Sequence, residues 1–274
     1  MSKASSSAGM LVAFLLALGG CGGGGEGRAA TEQASGSEAA SEEPGTNEAS
    51  TPEEGGYRTI EVANGGTIQG TVRFDGPAPV PEQVEVTEDA ATCGEFKQVA
   101  PLRIGSRGGL ADAVVSLTDI REGAPLPEAA PPPELDQRSC SFSPHVLVAP
   151  AGSPVRILNS DPIMHNVHTL SFDNRPINRS QPAGVRQIEV TFDRPEKVKA
   201  RCDVHGWMSA WIVVTDHPYQ AVTGPDGSFR LENVPPGTYT LEIWHEALGS
   251  STRSVSVEPG GVTEADAVLT EASS

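Results

Sequence analysis

After its first twenty residues the sequence has no apolar run approaching the roughly 20 residues a bilayer-spanning helix needs. Any membrane attachment is therefore expected through a lipid. Basic charge is also scarce: 19 Lys and Arg face 36 Asp and Glu, for a formal net charge of −17. That balance excludes nucleic acid as a partner, because such binding is driven mainly by cationic neutralisation of phosphate. Histidine is limited to six residues with no His-x-His pair, which excludes the histidine clusters of a multinuclear metal enzyme. Only four methionines are present, too few for an open, Met-rich site of ion exchange. No segment beyond the N-terminus shows an apolar helical stripe with caps, so the fold is expected to be all-β.

What the chain does contain begins with export signals. Lys3 precedes the apolar core Met10–Leu18, and Leu18-Gly-Gly-Cys21 follows it. Residues 1–20 read as a lipoprotein signal peptide with Cys21 as the acylated mature N-terminus; the rival reading is an ordinary cleaved signal. Gly22 is not the Asp that holds such lipoproteins at the inner membrane, so the expected location is the cell envelope, periplasmic or outer-membrane. Residues 21–57 form an acidic linker. From Gly22 onwards it has eight Glu, one Arg and almost no large apolar side chain, too little to offset the entropy of ordering. The linker carries −7 and Lys3 +1, so residues 58–274 carry −11 of the total. A basic redox protein, such as a c-type cytochrome or a dehydrogenase, suits that surface.

From Gly65 the pattern is that of strands with Pro and Gly punctuation. Ile68, Val72 and Phe74 alternate with polar residues, as do Ile188, Val190 and Phe192. In Lys197-Val-Lys-Ala-Arg-Cys202 the apolar positions Val198 and Ala200 share a face with Cys202, which points Cys202 inward at a strand end. Ala210 to Val214 resumes the strand pattern. Beyond Gln220 two turn-strand units follow, with Tyr239, Leu241 and Ile243 on one face, and Ser254–Val257 and Ala265–Leu269 supply further strands. About fifty residues make a marginal sandwich, which is expected to lean on the rest of the chain.

Four residues carry the chemistry: His165, Cys202, His205 and Met208. Two imidazoles, a thiolate and a thioether make the donor set of an electron-transfer copper centre, with Met as a weak axial ligand. Structural zinc is a poorer reading because Met is a poor zinc donor, and nucleophilic cysteine chemistry lacks a separate activating base. His165 is expected from a loop after strand Val155–Leu158. His168 has the opposite strand parity, and His145, His217 and His245 read as structural or interface histidines. With Cys21 lipidated and Cys202 on metal, Cys93 and Cys140 remain for a disulfide, which export permits. Such a bridge would contribute roughly 4 kcal/mol by the loop-entropy argument. The alternative is that one of them also binds metal.

The strings His165-Asn166-Val167 and Cys202-Asp-Val-His205-Gly-Trp-Met208 resemble the cupredoxins of the plastocyanin and amicyanin group. The resemblance covers roughly residues 136–216 and implies a Greek-key β-sandwich with one type 1 copper. It implies coordination by His165, Cys202, His205 and Met208, with Asn166 tying the two ligand loops together. Asp203 and Val204 depart from the Pro that often precedes the loop histidine. Trp207, larger than usual there, is expected to form an apolar docking collar beside His205 or simply to pack the loop. The C-terminal segment, through Asp226-Gly-Ser-Phe-Arg-Leu and Pro235-Pro-Gly-Thr-Tyr, resembles carboxypeptidase-regulatory-like (transthyretin-like) sandwiches. The expected organisation is a cupredoxin-like domain over 58–217 with an N-terminal extension, then the small Ig- or transthyretin-like sandwich over 218–274. Strand 67–74 would supply the opening strand that the small sandwich lacks. The implied activity is non-enzymatic: a carrier of single electrons. Periplasmic copper binding and delivery, or a non-redox surface module on a cupredoxin frame, is the alternative.

Overall fold

The computed structural model describes residues 56–128 and 130–271. The expected signal peptide, Cys21 and nearly all of the expected linker lie outside the described residues. Within them the fold is almost entirely β, with one four-residue helix, Ala90–Cys93. No helix of the described residues is long and apolar enough to cross a membrane.

Two β-sandwiches stack on one another. The first spans Glu134–Thr215. One of its sheets runs in the order Gln187–Thr191, Pro154–Asn159, Glu134–Gln137 and Phe142–Ser143. The other runs Asn178–Gln181, His165–Leu170, Glu196–Arg201, Ser209–Thr215 and Val146–Pro150. Between them lies a core that includes Leu135, Val155, Ile157, Val167, Phe192, Val198, Ala200, Ala210 and Ile212.

The second sandwich is discontinuous in sequence. Strand Gly66–Phe74 pairs with Ser228–Val234, Val262–Glu264 and Ala267–Leu269. Strand Val114–Leu117 pairs with Gln220–Val222 and Gly237–His245, and the latter with Gly249–Val257. Ile68, Val72, Leu110, Val115 and Leu117 share one core with Phe229, Leu231, Leu241 and Ile243. A boundary at 217/218 therefore does not follow the packing: residues from about 57 to 74 and from about 102 to 124 join the C-terminal strands, and the first sandwich is inserted between about residues 125 and 217. Strand Val114–Leu117 was not separable in sequence, because a short run of Val, Val, Ser and Leu carries no alternation until its neighbours are known.

The sandwiches meet across a packed seam. Strand Ser209–Thr215 is covered on both faces: Ala210, Ile212 and Val214 enter the first core, while Trp211 and Val213 turn to the seam. There they meet Val114 and Trp244 of the small sandwich, the two indoles edge-to-face at 4.9 Å. Lys197 reaches across to Glu242 at 2.9 Å, and its ammonium lies over the Trp244 ring. The small sandwich thus leans on the larger one, burying a face that alone would meet water.

Candidate metal centre

Strand parity delivers the thiol. Val198 and Ala200 are fully buried, and Cys202, one step past the strand, continues their inward face at 2% exposure. The chain then turns tightly: the Cys202 N–H donates to the Met208 carbonyl at 3.2 Å and the Met208 N–H to the His205 carbonyl at 2.9 Å. Strand Ser209–Thr215 starts immediately afterwards. His205 and Met208 are both buried. His165 differs from expectation in one respect. It opens the strand His165–Leu170, in register with Gln181, rather than lying in a loop. The Ser160–Met164 turn brings the chain into that strand, so His165 is inward-facing from its first residue.

The donor atoms converge. His165 Nδ1 and His205 Nδ1 are 3.0 Å apart, and Cys202 Sγ lies 3.7 Å from His205 Nδ1. One nitrogen from each imidazole and the sulfur all lie within 4.8 Å of one another. Donors bound at about 2.0–2.3 Å with near-tetrahedral angles stand roughly 3.3–3.7 Å apart, so this spacing suits one shared ion. Met208 is buried in the same core as Cys202. The residues present fit a small, soft-to-borderline metal ion.

Electrostatics eases ionisation of the thiol. Burial pushes the Cys202 thiol up, but the His165 imidazole and the backbone N–H groups of Asn166, His205 and Val204 pull it below its ordinary value. Burial works against the charged form of His165, yet Cys202 and Asp161 together hold its pKa above the usual range. His205 goes the other way, lowered first by burial and then by the charge of His165.

The surrounding groups orient these ligands. Asn166 Oδ1 accepts the Asp203 N–H at 2.6 Å, tying the start of strand His165–Leu170 to the Cys202–Met208 turn. Asp203 also accepts from Asn166 and Asn178 and contacts His168, whose side chain faces away from the centre. Trp207 is partly buried, 5.2 Å from the His205 ring, and its indole N–H donates to the Cys140 carbonyl at 2.9 Å. Its other surroundings include a cleft of about 660 Å³ at the seam, bounded also by Phe142, His145, Arg103 and Glu246. Cys93 and Cys140 are bonded to each other, and among the described residues Cys202 is the free thiol. His145 pairs with Glu246 across the seam, His217 lies against Tyr57 and Tyr219, and the buried His245 accepts the Ala247 N–H.

Two carboxylates escaped the sequence reading. Asp161 Oδ2 lies 2.9 Å from His165 Nε2, and its oxygens accept the backbone N–H groups of Ser139 and Cys140. Asp89 Oδ2 faces His205 Nε2 at 3.3 Å. Asp161 stands four residues before His165 in an Asn-Ser-Asp-Pro turn, a local signal that could have been weighed. Asp89 comes from far upstream and has no such signal.

Comparison with known proteins adds the following. The carboxypeptidase regulatory-like domain family matches residues 208–270. The human BOS complex subunits NOMO3 and NOMO1 are 30% and 29% identical over 113 residues, 41% of this chain. The chain spans only 7% of the length of these curated relatives. Among solved structures, a purple cupredoxin from Nitrosopumilus maritimus is 21% identical, covering 30% of this chain and 99% of its own, at a TM-score of 0.27. An oxidized amicyanin mutant is 21% identical, over 34% of this chain and 90% of its own, at 0.28. A copper-containing nitrite reductase from Thermus scotoductus SA-01 is 23% identical, over 31% and 23%, at 0.29.

Proposed function

We propose that this chain is an extracytoplasmic carrier of single electrons, not an enzyme, with one type 1 copper that His165, Cys202, His205 and Met208 would hold. The observation that supports this most is the convergence of two imidazole Nδ1 atoms and one buried thiol, 3.0 and 3.7 Å apart, at the end of a sandwich. When bound, copper in such a set would supply a Cu(I)/Cu(II) couple, because thiolate and thioether suit the first and imidazole serves both. The residues supply the rest. Cys202 arrives with its thiol biased towards ionisation, and Asp161 fixes the outer nitrogen of His165. Asn166 locks the two ligand segments together, so little reorganises when charge changes. A full burial of His165 and His205 favours a resident ion over delivery, which needs exchange.

The acidic remainder of the chain favours a basic redox partner, such as a c-type cytochrome or a dehydrogenase. Cys21, as a lipidated N-terminus, would hold the carrier at the cell envelope on its acidic tether.

The test is addition of Cu(II) to the purified protein. The expected result is an intense visible thiolate-to-copper band that bleaches on one-electron reduction and is missing in Cys202→Ser. A colourless protein that binds Zn(II) as well as Cu(II) would sink the proposal.

A further inference from the structure

One segment near the centre belongs to neither sandwich. Strands Glu82–Glu85 and Phe96–Val99 form a separate two-stranded hairpin, closed by Val86 N–H to the Glu95 carbonyl at 2.9 Å. The loop between them carries the helix Ala90–Cys93. Although the hairpin pairs with no other strand, Val86 and Cys93 are buried in the core of the metal-site sandwich. Cys93 is bonded there to Cys140, and Lys97 adds a hydrogen bond to the Ser139 carbonyl at 2.7 Å.

The anchor point is part of the centre's wall. Asp161 accepts the Cys140 N–H and also contacts His165, while the Cys140 carbonyl accepts the Trp207 indole N–H. A sulfur of Cys140, an Asp161 oxygen and a His165 nitrogen lie within 4.8 Å of one another. From this anchor the loop brings Asp89 to His205. Asp89 adopts a left-handed backbone conformation, φ 58°, a region that Asp enters more readily than most residues. Its carboxylate stands 3.3 Å from Nε2 of an imidazole that has no solvent exposure. The alignment falls short of a hydrogen bond, so this Nε2 is a buried polar atom with no partner other than that close carboxylate. A buried polar atom of this kind is costly to leave without a partner, and the Asp89 carboxylate is the group placed beside it.

We propose that hairpin Glu82–Val99 is a lid that closes the His205 side of the centre. Asp89 is its positioning residue for His205, and the Cys93–Cys140 bond is its pin. This inference rests on the reading of the four residues as a metal centre. Each imidazole then has the same arrangement: Nδ1 towards the shared ion and Nε2 towards a carboxylate, Asp161 from within the sandwich and Asp89 from the lid. A carboxylate at Nε2 keeps the proton there and leaves the Nδ1 lone pair free for metal. The lid also removes the His205 edge from contact with large partners and with chelators until it moves.

The experiment uses the full chain with Asp89→Ala, Asp89→Asn and the double variant Cys93→Ser/Cys140→Ser. Nitrogen-15 NMR of the metal-free protein reads the His205 tautomer. The Nε2–H form should dominate in wild type and in Asp89→Asn, whose amide oxygen can take the carboxylate's place beside Nε2, and lose that dominance in Asp89→Ala. Transfer of Cu(I) to an external chelator should be at least tenfold faster in Asp89→Ala and in the cysteine variant. An unchanged tautomer in Asp89→Ala overturns the positioning role, and transfer rates within twofold of wild type overturn the lid. If the cysteine variant fails to fold, Asp89→Ala decides alone, since it alters a partly exposed loop residue. Failure of the copper proposal would show separately, as a wild-type protein without a visible band, while the metal-free tautomer still judges Asp89.

Discussion

Glu246 offers the sharpest test of how the two sandwiches are joined. It sits in the turn between Gly237–His245 and Gly249–Val257 of the small sandwich, yet both its oxygens are held by the other one. Oε1 contacts His145 Nε2, and Oε2 accepts the Trp211 indole N–H at 2.7 Å. Burial alone would raise its pKa, but His145 and Trp211 reverse this and bring it to about 2, against an ordinary value of 4.5. Taken at face value that difference corresponds to about 3 kcal/mol at neutral pH. The Glu246 side chain is 22% exposed, so solvent screening reduces the usable part to about 2 kcal/mol. Replacement by Gln keeps the size and removes the charge. For a chain of this length it should lower the unfolding temperature by about 4–8 °C.

The pH profile supplies the refutation. A carboxylate with a depressed folded pKa stabilises fully above its unfolded value and loses that contribution as pH falls through the folded one. The Glu246 share should therefore be complete above 4.5 and fade towards about 2. His145 moves oppositely. Burial lowers it, but the Glu246 contact more than compensates and raises it above 6.5. Its share is complete below 6.5 and fades as pH rises through the folded value. The large displacement belongs to the carboxylate, so the acid limb should be the steeper. The gap between wild type and Glu246→Gln should peak near about pH 5.5 and close in acid, read by thermal unfolding followed by circular dichroism. A gap under about 1 °C at that pH, or one that stays constant down to about pH 2.5, would refute the argument.

Other outcomes follow from the same set of contacts. Removing the Cys93–Cys140 bond, which spans 47 residues, should cost about 4 kcal/mol by loop entropy, measured by denaturant unfolding of the double Ala variant. Ile68→Ala, at a fully buried position of the small sandwich, should cost about 2–5 kcal/mol in the same assay. Residues 218–274 expressed alone should show no cooperative unfolding transition, because their sheets lack strands Gly66–Phe74 and Val114–Leu117. Asp161→Ala should weaken copper retention by about 10–100-fold in competition with a chelator, through loss of its contact to His165 Nε2.

Much of the fold was legible where one face is buried and the other is not. Ile68, Val72 and Phe74 alternate and are buried as expected, and the parity of Val198 and Ala200 placed Cys202 inward. The Cys-x-x-His-x-x-Met spacing is short enough for one turn to determine, so Cys202, His205 and Met208 could be grouped from their spacing alone. Long-range facts were harder. The pairing of Gly66–Phe74 with the C-terminal strands was only half visible, through the strand missing before Val222. Trp211 and Trp244 carry no sign in sequence that they face each other. Asp89 was invisible for a similar reason: its partner is 116 residues away, and the Cys93–Cys140 bond, the buried Val86 and the Lys97 contact that bring the two regions together are themselves long-range.

An insertion of this kind raises the question of how the small sandwich tolerates being cut open. The answer lies at the two points where the chain leaves and returns. The Ala124 N–H donates to the Tyr219 hydroxyl at 2.7 Å, Tyr219 donates to the Asn233 carbonyl at 3.1 Å, and the Tyr57 hydroxyl donates to the Ala124 carbonyl at 2.6 Å. Exit and return are thus bound side by side through one buried tyrosine. Gly123 permits this approach, because a Cβ there would meet the Tyr219 hydroxyl at 2.3 Å. Ends held this close let a folded insertion replace a loop, since an already compact segment loses little further entropy on closing. The Pro-rich run after Ala124 then turns the chain away into the first sandwich. The same arrangement makes the first sandwich dependent on its host: its seam residues Trp211 and Val213 pack against Val114 and Trp244 of the small sandwich. Loss of the small sandwich should therefore be felt at strand Ser209–Thr215, which begins one residue after Met208.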